Sequence, residues 1–250
     1  MKNFPWKTIW IIGASMGLGK EIANQLDCFG AKVIISARSE ERLKNIEEGL
    51  KNTVSQPIDI TNIKSINLAL GVVKKICNGL PDLIILNAAI YQPMTTKSLE
   101  VGIIQEVMDV NFMGSVKLLN ALLPYKNSGK KTTIATVTSP SGWRGLPGGI
   151  GYGSSKAALI NFIESLRAEL GNSDLDFRLV NPGFIRTRLT DKNNFHMPQI
   201  MEPQIAAQKL LKGLSSNRFE VAFPQPLIFF FKILRILPYW LYFKLTSKMI

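Results

Sequence analysis

Short apolar runs alternate along the chain with longer segments in which apolar residues recur at helical spacing. Runs of this length that end near Gly, Asn, Asp or Pro are typical of strands buried in a parallel sheet. The predicted strands are Thr8 to Ile12, Lys32 to Ala37, Thr53 to Ile58, Pro81 to Leu86, Thr133 to Thr138, Leu175 to Val180 and Phe219 to Phe223. The predicted helices include Glu21 to Phe29, Ser39 to Leu50 and Glu202 to Leu214. This alternation predicts an α/β fold, a doubly wound parallel sheet with helices on both faces.

Composition narrows the class of protein. At 250 residues the chain has the length of one domain with a sizeable core. Thirty Lys and Arg against 18 Asp and Glu give a formal charge of +12, which would suit nucleic acid, an anionic membrane or a phosphorylated ligand. The cations are mostly scattered and no nucleic-acid motif accompanies them, so we predict solvated surface for most of them and no nucleic-acid partner.

Cysteine and histidine usage excludes several kinds of site. Cys28 and Cys77 are too few for a disulfide framework, and we expect reduced, mostly buried thiols. The single histidine, His196, leaves no His-based triad, and no Cys/His cluster has ligand spacing, so no metal site is predicted. The residues before the first strand are too few for a signal peptide, which favours a cytoplasmic protein.

A glycine-rich turn follows the first predicted strand and precedes the first predicted helix. In this context one Gly makes the turn, a second lets backbone approach a pyrophosphate, and a third allows close helix packing. The helix N-terminus adds free N–H groups and a partial positive charge. We therefore predict a Rossmann-type dinucleotide site contacted by Gly13, Ser15, Met16, Gly17, Leu18 and Gly19.

The residues after the second predicted strand distinguish between the two nicotinamide dinucleotides. An acidic residue there would bind the ribose hydroxyls of NAD and repel a phosphate. The chain instead has Arg38 and Ser39, which suit the 2′-phosphate of NADP through charge-assisted hydrogen bonds. The alternative is a surface arginine that starts the next helix.

Three polar residues form a candidate catalytic group. Tyr152 and Lys156 stand four positions apart in a helical segment, so their side chains share a face. An adjacent ammonium favours a phenolate, and we expect it to lower the pKa of Tyr152. Ser139 follows a predicted strand, and the Gly- and Pro-rich loop after it can bring its hydroxyl toward the tyrosine as a second donor.

In order and spacing, Ser139, Tyr152 and Lys156 resemble the catalytic group of the short-chain dehydrogenase/reductase family, and the likeness covers roughly the first 220 residues. The resemblance implies that Asn111 is a fourth catalytic residue, holding a water that links the lysine to solvent. It also implies further cofactor contacts, and identifies Tyr152 and Lys156 among them. The remaining contacts are Asp59, Ile60, Asn87, Ala88, Ala89, Pro182, Gly183, Ile185 and Thr187.

Departures from the family pattern leave alternatives open. Ile90 stands where the family has Gly, and it could crowd the nicotinamide or shift the loop. Asp59 could cap a helix as well as contact adenine. In this fold the segment from Arg188 to Pro203 covers the substrate, and its apolar residues are Leu189, Phe195, Met197, Ile200 and Met201.

The predicted function is an NADP(H)-dependent oxidoreductase that interconverts a carbonyl and a secondary alcohol, with Tyr152 as general acid and base. The expected substrate is a small molecule, apolar or lipid-like. Two alternatives remain, a 3-oxoacyl-carrier-protein reductase and a non-catalytic dinucleotide sensor on the same scaffold. A homodimer or homotetramer is the expected assembly.

The last segment differs in composition from the rest of the chain. We predict a dinucleotide-binding catalytic domain over 1–223 and an apolar, basic C-terminal extension over 224–250. Wound as one helix, the extension places four polar or basic residues in one stripe, and two cations with a central proline disfavour a membrane span. The alternatives are a helix pair packed on the body or a partner subunit, or a helix lying in a membrane surface. The stripe comprises Lys232, Arg235, Tyr239 and Tyr242.

Overall fold

The computed structural model describes residues 4–247, and its centre is a seven-stranded sheet of order β3-β2-β1-β4-β5-β6-β7. All of the neighbouring strands pair in parallel. The strands are β1 Thr8–Ile12, β2 Lys32–Ser36, β3 Thr53–Ser55, β4 Leu83–Leu86, β5 Thr132–Val137, β6 Leu175–Pro182 and β7 Glu220–Phe223. The predicted doubly wound α/β fold in a single domain is confirmed.

Helices cover both faces of the sheet. They are α1 Gly17–Cys28, α2 Glu40–Glu47, α3 Ile63–Cys77, α4 Val101–Met108, α5 Gly114–Leu122, α6 Ile150–Glu169, α7 Pro203–Leu214, α8 Gln225–Ile236 and α9 Tyr239–Thr246. One core cluster joins α1, α2 and α7 to the sheet, and a second joins α3, α5 and α6 to the opposite face. Alternation along β1 divides its residues between them, with Ile9 and Ile11 in the first cluster and Trp10 and Ile12 in the second.

Several predicted element ends are wrong by a few residues. The second and third strands end at Ser36 and Ser55, before Ala37 and Ile58, although the N–H of Ile58 still donates to the carbonyl oxygen of Ala37 at 3.0 Å. The first helix begins at Gly17, four residues before the predicted start at Glu21. Ser39 caps α2 as predicted, since its side chain accepts a hydrogen bond from the backbone N–H of Arg42.

One single-residue expectation is wrong, and one of the two roles considered for Asp59 does not occur. Cys28 is exposed at the end of α1, whereas Cys77 is buried as expected. Asp59 does not cap α3, because Asn62 accepts the capping hydrogen bonds and Asp59 instead accepts from the backbone and hydroxyl of Thr61.

The C-terminal extension forms two helices and not one. The chain leaves helical geometry at Leu237 and Pro238, so α8 and α9 are separate elements and the predicted continuous stripe does not form. Tyr242 is buried, and its hydroxyl donates a hydrogen bond to the carbonyl oxygen of Gly145, whereas Tyr239 remains exposed. No helix within residues 4–247 is long and apolar enough to cross a bilayer.

Candidate active site

The glycine turn is built by contacts that leave no room for side chains. Gly13 has a φ of +88°, and a Cβ on it would lie 2.5 Å from the backbone nitrogen of Ala88. A Cβ on Gly19 would lie 2.2 Å from the carbonyl oxygen of Gly13. Asn87 donates from its amide to that same oxygen at 2.8 Å. Glycine is therefore required for the close approach of β1, α1 and the loop after β4.

A groove of about 890 Å³ runs along the carboxyl ends of the strands. Its volume is in the range of pockets that hold cofactors and other small ligands. Its walls include most of the residues that the sequence predicts as cofactor contacts: Gly13, Ser15, Met16, Gly17, Leu18, Arg38, Ser39, Asp59, Ile60, Asn87, Ala88, Ala89, Tyr152, Lys156, Pro182, Gly183, Ile185 and Thr187. Gly19 is buried beneath the turn and is not part of the wall.

Two arginines line the groove where α2 begins. Arg38 and Ser39 lie there together with Arg42, which the sequence analysis missed. Arg42 lies in the first turn of α2, just after Arg38 and the capping residue Ser39, and its closeness in sequence to Arg38 is the signal that could have identified it. Hydrogen bonds from Thr61 and the charge of Arg38 outweigh burial and lower the pKa of Asp59. At the start of α2 the groove thus presents the guanidinium groups of Arg38 and Arg42, and its lining also includes the ionised Asp59 carboxylate.

The loop after β5 brings Ser139 to α6. A Cβ on Gly142 would lie 2.7 Å from the backbone carbon of Lys156, so the loop lies directly on the first turns of α6. The hydroxyl of Ser141 donates to Ser139 Oγ at 2.9 Å. Through this packing Ser139, Tyr152 and Lys156 all line the groove, as their spacing in the sequence predicts.

The pKa of Tyr152 differs from the sequence expectation. Burial raises it to about 12, and a hydrogen bond with Ser139 offsets only part of that increase. The expected lowering by Lys156 is therefore wrong, because removing the phenol from water disfavours the phenolate more than its neighbours favour it. The Lys156 Nζ lies 5.6 Å from the centroid of the Tyr152 ring. Tyr152 is a protonated phenol at neutral pH.

Lys156 is buried, and burial lowers its pKa to about 8. Its Nζ donates to the carbonyl oxygen of Val137 at 3.0 Å, which holds the amine at the end of β5. A lysine with this pKa remains mostly charged at pH 7.

The depressed pKa of Lys156 predicts a pH effect on stability. Between pH 8 and 10.5 the unfolded chain binds a proton on this lysine that the folded chain does not, so the free energy of unfolding rises with pH in this window. Relative to Lys156→Met, we expect the native protein to gain on the order of 1 kcal/mol per pH unit from pH 8 to 10. Urea unfolding at several pH values measures the difference, and parallel curves for the two proteins would contradict it.

Asn111 lies in a π-helical turn, Asp109–Met113, between α4 and α5. Its amide donates to the carbonyl oxygen of Ile90 at 2.9 Å and accepts from the Ile90 N–H at 2.8 Å. It also donates to Ser155 Oγ at 3.1 Å. Asn111 is fully buried and does not line the groove, so its side chain anchors the loop after β4 to α6. Its role in holding a water stays a prediction.

Tyr91 is a site residue that sequence reasoning missed. Its ring makes an edge contact with Tyr152, with centroids 5.1 Å apart, and its hydroxyl donates to Asn193 Oδ1 at 2.7 Å. Lys192 donates to the carbonyl oxygen of Tyr91 at 2.8 Å. These contacts attach the segment after β6 to the loop after β4 across the groove. No local pattern marks them, because the partners are about a hundred residues apart.

A second, smaller cavity of about 160 Å³ adjoins the groove at Ser139 and Tyr152. Leu189 and Phe195 line it, and that their segment covers a substrate stays a prediction. Met201 does not, because it is buried in the core, where its backbone pairs with Phe184 and Arg186. The cavity is also lined by Leu227 and Phe231 of α8, which the sequence analysis assigned to a separate extension.

Comparisons with known proteins agree with this geometry. The sequence profile of the short chain dehydrogenase family matches residues 7–197. An uncharacterized oxidoreductase of Myxococcus xanthus is 30% identical over 242 residues, which cover 95% of each chain.

Two solved structures share the fold. A short chain dehydrogenase from Burkholderia cenocepacia in complex with NADP is 25% identical with a TM-score of 0.78, covering 89% of this chain and 91% of that one. One from Burkholderia phymatum in complex with NAD is 17% identical with a TM-score of 0.81, covering 93% and 94%.

The fold and the groove define a dinucleotide-dependent oxidoreductase. The chain belongs to the short-chain dehydrogenase/reductase family, whose members bind a nicotinamide dinucleotide and act on small molecules.

Proposed function

We propose that this protein is an NADP(H)-dependent oxidoreductase that interconverts a carbonyl and a secondary alcohol on an apolar substrate. The observation that carries the proposal is the position of Ser139 and Tyr152 at the boundary between the large groove and the small cavity. A substrate oxygen at that boundary meets two hydroxyl groups, with the cofactor groove on one side and a mostly apolar cavity on the other.

The groove suits a dinucleotide in its shape and in the hydrogen-bond donors that it offers to the phosphates. The packed glycine turn leaves backbone exposed in front of the N-terminus of α1, where no side chain caps the helix. Its free N–H groups and the partial positive charge of the helix suit a pyrophosphate. Lys156, Asn87 and Thr187 line the part of the groove that would hold the nicotinamide half.

The protein's own groups supply the proton and the polarisation. NADPH, when bound, supplies the hydride. Tyr152, protonated at neutral pH, donates its proton to the carbonyl oxygen, and Ser139 donates a hydrogen bond to the same atom. The positive charge of Lys156, 5.6 Å from the ring centroid, stabilises the negative charge that develops on the phenol. In the reverse direction the phenolate form of Tyr152 accepts the proton of the alcohol, which regenerates the phenol.

A substrate screen tests the proposal. Purified protein with NADPH is assayed against apolar ketones, aldehydes and acyl thioesters, and consumption is followed at the nicotinamide absorbance. We expect turnover with ketones of low polarity. Turnover confined to acyl thioesters would favour the carrier-protein reductase alternative, and dinucleotide binding without any turnover would favour a sensor.

Arg38 and Arg42 support the choice of NADP. Both line the groove at the start of α2, and a doubly charged phosphate between two guanidinium groups gains charge-assisted hydrogen bonds. The neighbour from B. cenocepacia, at 25% identity, is described in complex with NADP.

We expect NADPH to bind at least about tenfold more tightly than NADH, or ~1.4 kcal/mol. Arg38→Ala should remove most of that difference, because Arg38 is the cation that stands where an acidic residue would favour NAD. Fluorescence titration of each dinucleotide measures both values, and Arg218→Ala, at an exposed position after α7, is the charge-matched control. Equal affinities in the native protein would overturn the assignment of NADP.

We further propose that the extension contacts an anionic membrane. On α8 the buried side chains Leu227 and Leu234 face the body, while Phe229, Ile233 and Ile236 lie on the opposite side, exposed. On α9, which follows directly, Trp240 is 70% and Phe243 is 58% exposed. We call the set Phe229, Ile233, Ile236, Trp240 and Phe243 the outer face.

Cations flank the outer face. Arg235 and Lys244 are exposed, and Lys232 pairs with Glu220 at 2.8 Å. A helix with apolar residues toward the acyl chains and cations at its margin is typical of a peripheral membrane contact. Each cation near an anionic surface adds ~1 kcal/mol to binding.

A further inference from the structure

The cavity beside Tyr152 is lined in part by residues of α8, which is distant in sequence. Leu227 and Phe231 of α8 line the same cavity as Ser139 and Tyr152, although about 80 residues separate them in sequence. A Cβ on Gly183 would lie 2.7 Å from Leu227 Cδ2, so α8 packs directly on the loop after β6. The helix therefore forms a side of the cavity and does not merely lie near it.

The position of α8 is fixed by Arg144, which stands in the loop between Ser139 and Tyr152. Its Nη1 donates to the carbonyl oxygens of Leu234 and Leu237, each at 2.7 Å. These carbonyls have no intrahelical partners at a helix C-terminus, and a cation there is favoured by the helix dipole.

The same guanidinium contacts α9. It lies 3.9 Å from the centroid of the Tyr242 ring, and the Tyr242 hydroxyl donates to the backbone of Gly145. A cation over an aromatic face in a partly desolvated site is a favourable contact. One arginine thus connects the loop between the catalytic residues to both helices of the extension.

The chemistry of the cavity defines what it accepts. Among the described residues, no Lys, Arg, Asp or Glu lines it, and the side chains around Tyr152 include Leu146, Phe184 and Phe195. Its volume of about 160 Å³ is close to that of an engineered apolar cavity of ~150 Å³ that binds benzene.

We infer that Leu227 and Phe231 determine substrate size, and that the cavity takes a compact apolar group of about the size of a benzene ring, attached directly to the reacting carbonyl. Arg144 is the positioning residue that holds this wall in place. The inference rests on the proposed function, because it takes the reacting oxygen to lie at Ser139 and Tyr152.

The experiment compares two ketones with each variant. Phenyl methyl ketone fits the cavity, whereas biphenyl methyl ketone carries a second ring that meets Phe231. For the native protein we expect kcat/KM to favour the phenyl ketone by at least about tenfold, within the discrimination that an apolar pocket provides. Phe231→Ala removes the opposing ring and should reduce or invert that ratio. Phe231→Trp enlarges the side chain and should lower kcat/KM for the phenyl ketone, which keeps the test informative if the alanine variant folds poorly.

Two further variants distinguish a specific effect of the cavity wall on selectivity from a general effect of losing a packed side chain. Phe29→Ala removes the same atoms at the end of α1, where the ring is 42% exposed, and should keep the native ratio. Arg144→Ala should abolish the preference for the phenyl ketone, and the change should be in KM and not in kcat. The affinity for NADPH should stay within about twofold of native. An Arg144→Ala protein with the native ratio would show that the arginine does not hold the wall.

Calorimetric binding of both ketones in the presence of NADP distinguishes the inference from the proposed function. If Phe231→Ala shifts the binding preference but no variant turns over either ketone, the size-selecting wall stands and the proposed reaction fails. If turnover occurs and the preference is the same in the native protein and in both Phe231 variants, the reaction stands and the wall is refuted.

Discussion

Tyr152→Phe should lower turnover by two or more orders of magnitude on any ketone that the native protein reduces. The change keeps the ring, its edge contact with Tyr91 and the packing on α6, and it deletes the hydroxyl group that gives its proton to the substrate oxygen and bonds Ser139. General acid catalysis contributes ~10²- to 10⁴-fold, which sets the expected loss. Stopped-flow measurement of a single hydride transfer isolates the chemical step, and dinucleotide titration should give the native affinity.

Tyr91→Phe is the matched control. It removes the neighbouring phenol oxygen, which in the structure bonds Asn193 and not the catalytic serine. We expect at most a modest change in kcat/KM from the looser cover over the groove. Near-normal turnover by Tyr152→Phe together with a large loss in Tyr91→Phe would transfer the acid role to Tyr91.

Replacing three side chains of the outer face should abolish flotation with anionic liposomes. Ile236, Trp240 and Phe243 are 80%, 70% and 58% exposed, and together they can bury a large apolar area in the interface. Allowing ~1 kcal/mol for each side chain, about half of full burial, the triple serine variant should lose ~3 kcal/mol, about 100-fold in partitioning. Native protein should float with anionic vesicles, and less so in high salt.

A second triple variant controls for the loss of exposed apolar surface in general. Leu68, Leu99 and Val101 are also exposed but lie on α3 and near the start of α4, and their serine variant should float like the native protein. If the native protein stays in solution, and the outer-face variant converts an oligomer into monomers on size exclusion, the outer face is a subunit interface.

Removing the extension at Pro224 is a poor version of this test. Leu227, Ile228 and Leu234 are buried against the body, and Leu227 and Phe231 line the cavity beside Tyr152. A truncated chain would lose a wall of the site together with any membrane contact. Point substitutions on the outer face separate the two roles of the same helix.

The chemistry of the groove could be predicted because its motifs are local. Gly13, Gly17 and Gly19 lie within one turn, and Tyr152 and Lys156 lie within one helix, so spacing alone places them. The strands could be predicted because parallel strands covered on both sides are continuously apolar.

The pKa of Tyr152 and the residues that line the cavity beside it could not be predicted in the same way. The expected lowering of the Tyr152 pKa considered only the neighbouring charge, whereas the folded chain buries the phenol and raises its pKa to about 12. Tyr91, Arg144, Leu227 and Phe231 carry no motif, and each gains its position from a partner distant in sequence.

The C-terminal extension illustrates what the sequence determines and what only the tertiary structure decides. The sequence by itself determined that residues 224–250 are apolar and basic and that Pro238 interrupts them. Only the tertiary structure decided which apolar residues face inward, because both sides of α8 are apolar and periodicity cannot distinguish them. Arg144 decides it by binding the end of α8 from the loop beside Tyr152, a contact across 90 residues that no local pattern encodes.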